Sequence, residues 1–258
     1  LMISQVILNI IILLKNKNIY QNFNANLRKA RGKFEGATLR KFLNFLYYTI
    51  ILFILALFFD RAMIETKDGI FTGGSNNLGD LPFHLGAIFS FTEGNNFPPE
   101  NPSFAGAKFT YPFLADFIAA CLVKLGVKVT DAMFWQNITL AFSLVVLFEK
   151  FAFALTKSRP ASKLAPIIFL LSGGLGFVIF LRDYWQDGRS IFEFIWHLEK
   201  DYTIKNELLR WGNSLIVLFI TQRGFLLGMP IVLIVLSYLW KIFTTEIQRA
   251  FIILPQRH

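Results

Sequence analysis

Hydrophobic residues along this chain gather in long runs separated by polar segments. Residues 42–59 hold only one Asn and one Thr among eighteen positions. At a helical rise of about 1.5 Å per residue such a run extends about 27 Å, close to the thickness of a bilayer's hydrocarbon core. Residues 132–148, 164–181 and 224–243 are comparable in length and apolarity. A shorter run, 1–14, reaches the start of the chain without the basic lead and small-residue cleavage site of a signal peptide. It reads as the tail of a helix begun earlier, which makes the sequence a fragment of a longer protein. The pattern predicts an all-α fold: a polytopic transmembrane helical bundle with five spans, forming a single domain over 1–258.

Composition agrees. Of 258 residues 54% are hydrophobic and 17% charged, whereas soluble domains carry about a quarter of their residues as charges. Disorder, collagen and disulfide-stapled scaffolds are excluded. The single cysteine, Cys121, allows neither an internal disulfide nor a cysteine metal cluster.

The net charge of +9 suits either a nucleic-acid binder or a membrane protein with basic cytoplasmic loops. Its distribution decides between them. Residues 15–41, 149–163 and 241–258 together hold 15 basic and three acidic groups, a net of +12. Residues 60–131 and 182–223 hold 11 and 14, a net of −3. These two classes alternate along the chain, which places the first class in the cytoplasm and the loops 60–131 and 182–223 outside. The positive excess is therefore an orientation signal, and no nucleic-acid partner is expected.

Both outer loops are too long to be turns. In the first, helical periodicity over 81–92 and 113–125 flanks a connection rich in proline, around Phe97, Pro98, Pro99 and Pro102. Neither stretch is long enough to cross a bilayer, so both read as interfacial helices, with Asp116 and Lys124 on the water side of the second. The second loop has an amphipathic run over 191–209. A seven-residue apolar stretch, 214–220, follows and reads as a half-helix that delivers Arg223 to the start of the last span.

Ionisable groups at membrane level need a reason to be there. Asp80 precedes Leu81, Pro82, Phe83 and His84, so it serves either as the N-cap of the first interfacial helix or as a carboxylate held at the outer face for chemistry. His84, four residues on, shares its helical face, as an interfacial hydrogen-bonding residue or as part of a site. Asp60, beside Arg61, fits an interfacial anchor. Arg223 either snorkels to headgroups or, with Gln222 at a helix start, holds a lipid phosphate. Gly173, Gly174 and Gly176 point to close helix packing. Asn137-Ile138-Thr139 fits a glycosylation sequon but lies inside a span. No P-loop, zinc spacing or serine-hydrolase elbow occurs.

Residues 79–126, GDLPFHLGAIFSFTEGNNFPPENPSFAGAKFTYPFLADFIAACLVKLG, carry a family pattern. The matching elements are Asp80, the helix with His84, Glu93-Gly94, Ala105-Gly106, Tyr111-Pro112 and Leu125-Gly126. The stretch resembles the first outer loop of GT-C membrane glycosyltransferases, especially protein O-mannosyltransferases and lipid A aminoarabinose transferases. That resemblance implies transfer of a sugar from a polyprenyl-phosphate donor to an acceptor at the extracytoplasmic face of a prokaryotic cytoplasmic membrane. It implies Asp80 as the catalytic carboxylate and His84, Glu93, Tyr111, Asp116, Gln222 and Arg223 as substrate-binding residues. The partners implied are the lipid-linked sugar donor and membrane lipids. The family often has two adjacent acids where Leu81 here follows Asp80, so a divalent metal cofactor stays open. Two other classes compete, a transporter or flippase of lipid-linked saccharides and a non-catalytic membrane subunit. The spans show no internal repeat and no midplane charge, which speaks against transport.

Overall fold

The computed structural model describes residues 36–74, 77–172, 174, 176–198, 202 and 212–253. The described chain is mostly helical. Its elements are α1 (Gly36–Ala62), β1 (Met63–Thr66), β2 (Gly69–Thr72), α2 (Asp80–Thr92), α3 (Leu114–Lys124), α4 (Val129–Thr156), α5 (Arg159–Leu171), α6 (Gly176–Asp187), α7 (Ile191–Trp196), a π-helical segment Leu215–Ile220, and α8 (Arg223–Ile253).

Three helices among the described residues are long and apolar enough to cross a membrane: α1, α4 and α8. They contain the expected spans 42–59, 132–148 and 224–243. Only 17% of the apolar window of α1 and of α8, and 28% of that of α4, is buried within the protein. Side chains such as Phe45, Phe53, Ile231 and Tyr238 point outward instead. Apolar surface of that extent needs lipid or another protein against it. The expected span 1–14 lies outside the described residues, as does most of the second half of the amphipathic run 191–209.

The expected span 164–181 is not one helix. α5 stops at Leu171 and α6 starts at Gly176, because Ser172 turns to extended backbone at ψ 135° and is followed by two glycines, poor helix formers. The carbonyls freed at this end find a partner: Asn213 Nδ2 donates to Leu170 O at 2.9 Å and to Ser172 O at 2.8 Å. In an apolar setting such groups must be satisfied within the protein. At Gly176 a Cβ would collide with the Tyr202 carbonyl, so close backbone approach explains that glycine.

The chain divides into two compact units, one of residues 1–51 and 178–201, the other of 52–177 and 202–258. In the first, Ser190 caps α7 by accepting from Glu193 N, and Phe194 is buried against Phe180 and Tyr184, with ring centroids 5.4 and 5.5 Å away. All residues of the candidate site belong to the second unit.

There α1 runs into an antiparallel hairpin pairing Met63 with Thr72 and Thr66 with Gly69. Glu65 fastens the hairpin to α4: Thr130 Oγ1 donates to its carboxylate at 2.8 Å and Lys128 Nζ lies 3.6 Å away. These contacts hold the exposed Glu65 carboxyl below its usual range, chiefly through the Thr130 hydrogen bond.

α2 and α3 match the helices expected over 81–92 and 113–125. α2 buries Leu81, His84, Ala87, Ile88 and Phe91, a stripe at three- and four-residue spacing. It meets Ala119 and Ala120 of α3 together with Phe109 and Met133. α3 ends in a Schellman motif, with Gly126 at φ +94°, Gly126 N donating to Val123 O and Val127 N to Leu122 O. Only glycine adopts that conformation without strain. Asp80 is not the N-cap: Gly79 takes that position with helical φ and ψ, and Phe83 N already donates to Gly79 O. Asp80 is the first helical residue, where its charge still favours the helix N-terminus.

Candidate functional site

The second unit encloses a charged cluster drawn from four elements. Asp116 of α3 is fully buried, which corrects the expectation that it faces water; Lys124, on the same helix, is exposed. Asp116 sits inside because Arg223 and His84 meet it there. Arg223 Nη1 donates to Oδ1 at 2.6 Å and His84 Nδ1 donates to Oδ2 at 2.9 Å. Arg223 Nη2 donates to Gln136 Oε1 at 2.8 Å, and Gln136 Nε2 in turn donates to Ala115 O at 2.8 Å. Arg223 and His84 are each 1% exposed.

The second nitrogen of His84 shows how the backbone shapes this cluster. Nε2 donates to the Thr221 carbonyl at 3.2 Å. Thr221 joins the π-helical segment to α8, and Phe225 N donates to Gln222 O rather than to Thr221 O. The shift leaves the Thr221 carbonyl for His84. Both ring nitrogens therefore face acceptors.

Gln136 was not singled out by the sequence, where it is a neutral amide inside an apolar span. Gln136→Leu is expected to leave Arg223 Nη2 without its partner. The cost is about 1–3 kcal/mol, read as a lowered unfolding midpoint in detergent or nanodiscs; an unchanged midpoint would contradict the bonding just described.

The structure gathers some of the expected site residues and separates others. Tyr111 stands half-buried beside the cluster, its ring centroid 5.9 Å from that of His84 and 4.9 Å from that of Phe83. Gly224, at the start of α8, lets Pro112 approach closely, which seats the Tyr111-Pro112 pair against that helix. Asp80 is half-buried one helical turn before His84 and makes no hydrogen bond among the described residues. Glu93 is exposed at the opposite end of α2, about 19 Å along the helix. Gln222 is exposed, while Arg223 beside it is buried. The Arg223 fork, expected to take a lipid phosphate, is spent on Asp116 and Gln136. A divalent metal does not fit these donors. Both Asp116 oxygens are taken by Arg223 and His84, and among the described residues no group of three His, Cys, Asp or Glu could hold an ion.

No family model, curated protein or solved structure matches this chain. The site is therefore read from its own chemistry.

Tyr111 gives a pH signature of that chemistry. Burial raises its hydroxyl above the ordinary tyrosine value, and the charges of Asp116 and Asp80 add to the effect. A raised folded value means that the fold favours the neutral phenol. The contribution to stability is full below the ordinary value of about 10 and is lost as pH rises through the folded one. The phenolate absorbance of the chain minus that of Tyr111→Phe is expected to rise later than that of free tyrosine. A difference curve at the ordinary value would contradict the buried setting.

Proposed function

We propose that this chain is a membrane glycosyltransferase, which moves a sugar from a polyprenyl-phosphate donor to an acceptor at the extracytoplasmic face. The observation that carries the reading is the half-buried Asp80 carboxylate, free of hydrogen bonds among the described residues, one helical turn from the buried His84–Asp116–Arg223 cluster. A carboxylate so placed can take a proton, and a buried guanidinium stabilises negative charge nearby. Asp80 takes the proton of the acceptor hydroxyl. The acceptor oxygen bonds to the anomeric carbon as its bond to the lipid phosphate breaks, and polyprenyl phosphate departs with the bonding pair. Arg223 acts on that phosphate through the field of the cluster, since its fork is already engaged. Three helices fit to cross a membrane and the resemblance of residues 79–126 to the GT-C outer loop support the same reading.

Proteoliposomes loaded with polyprenyl-phosphate mannose, glucose or galactose test it. The expected result for one of these donors is polyprenyl phosphate formed in step with sugar released to water or an added acceptor. Redistribution of intact donor between leaflets, with no polyprenyl phosphate, would identify a flippase instead. No change in any donor would leave a non-catalytic subunit.

A further inference from the structure

Two buried polar side-chain atoms among the described residues lack a hydrogen-bond partner, Arg223 Nε and Asn77 Oδ1. Both residues line one partly open cavity of about 20 Å³, which has Leu81, Met133 and Ile220 among its apolar walls. That is room for one group the size of a water molecule. Arg223 Nη1 and Nη2 are engaged by Asp116 and Gln136, neither of which lines the cavity, so Nε is the donor left to it. Asn77 is 5% exposed and turns Nδ2 toward the Ala62 carbonyl at 3.4 Å, which leaves its own carbonyl oxygen as the acceptor. The Asn137 amide lines the cavity as well, but the buried atoms left without a partner there are one N–H and one C=O.

This pair is selective. An apolar group would satisfy neither atom. An anion would satisfy Arg223 and be repelled by Asn77. A hydroxyl satisfies both, accepting from Arg223 Nε–H and donating to Asn77 Oδ1. We propose that this cavity recognises a single hydroxyl of a sugar ring, with water making the same two hydrogen bonds when no sugar is bound. The proposal deepens the glycosyl-transfer reading and rests on it for the choice of sugar.

Binding, measured apart from turnover, tests it. The chain in lipid nanodiscs is titrated with short-chain prenyl-phosphate glucose, mannose and galactose, and with the analogues of each that lack one ring hydroxyl. For at least one sugar, loss of one particular hydroxyl is expected to weaken binding about tenfold or more, the range for a hydrogen bond to a charged group, while loss of the others changes it little. In Asn77→Ala that selectivity collapses to within about threefold. A flat deoxy series in the wild-type chain, a selectivity unchanged in Asn77→Ala, or no binding of any parent sugar overturns the proposal. A cavity that holds structural water only gives the flat series, with Asn77→Ala affecting thermal stability alone. The wild-type series decides even where the variant fails to fold. Selective binding without transfer leaves the pocket standing and removes the activity; transfer with a flat series does the reverse.

Discussion

Asp80→Asn is expected to lower glycosyl transfer by about 10²- to 10⁴-fold, the usual contribution of a positioned general base. The amide has the shape of the carboxylate but cannot take a proton from the acceptor hydroxyl. Folding should barely change. Asp80 makes no hydrogen bond among the described residues and is only half-buried. Its charge at the first turn of α2 is worth about 0.3–1 kcal/mol to the helix. The expected outcome is therefore a collapse in turnover with an unfolding midpoint within a few degrees of wild type, as a change of this size implies. Transfer at the wild-type rate would remove Asp80 from the mechanism.

Asp116→Ala should act on the fold. It strands the Arg223 guanidinium, and removes the His84 acceptor, at a site where each residue is 1% exposed. Breaking a buried ion pair by removing one partner costs about 3–5 kcal/mol, because the remaining charge stays buried and uncompensated. Since α3, α2 and α8 meet at this carboxylate, the loss should lower the unfolding midpoint of the whole second unit. Asp116→Asn keeps an acceptor for Arg223 and should cost less. The informative companion is Asp116→Leu combined with His84→Leu and Arg223→Met. Apolar replacement of a complete buried ionic cluster is often neutral, so this triple variant should recover much of what Asp116→Ala loses. It should not recover transfer, because the positive field is gone. If Asp116→Ala melts like wild type, the cluster does not hold these helices together.

How far the sequence could be read depends on the length of its signals. α1, α4 and α8 were legible because apolar runs of seventeen residues or more have few other meanings. α2 and α3 were legible through helical periodicity, Pro82 in the first turn and the Gly126 stop. The hairpin was missed because its two-residue turn is Lys67-Asp68, without the Asn-Gly or Asp-Gly that marks hairpins most strongly. Its two strands have only four residues each, too few for alternation to stand out. The interruption between α5 and α6 was visible as Ser172-Gly173-Gly174, but the apolar residues on either side made one span of it.

The site was harder, for a physical reason. Asp116 in an amphipathic helix looks water-facing until its partners His84 and Arg223 are known, and these lie 32 and 107 residues away in sequence. Arg223 was correctly placed at the start of a helix, yet nothing local showed that its fork would be spent inside. Gln136 bears no charge and so stood out from its span only as one amide among apolar neighbours. Pairings of this kind are long-range, and single-sequence patterns report local periodicity.

The most direct measurement of the account is the rate of polyprenyl phosphate production from polyprenyl-phosphate sugars by wild type, Asp80→Asn and the triple apolar variant, side by side in nanodiscs. The account predicts stoichiometric polyprenyl phosphate and transferred sugar from the wild type for at least one donor, and only background from both folded variants. Donor left intact by the wild type, or consumed equally by all three, would contradict it.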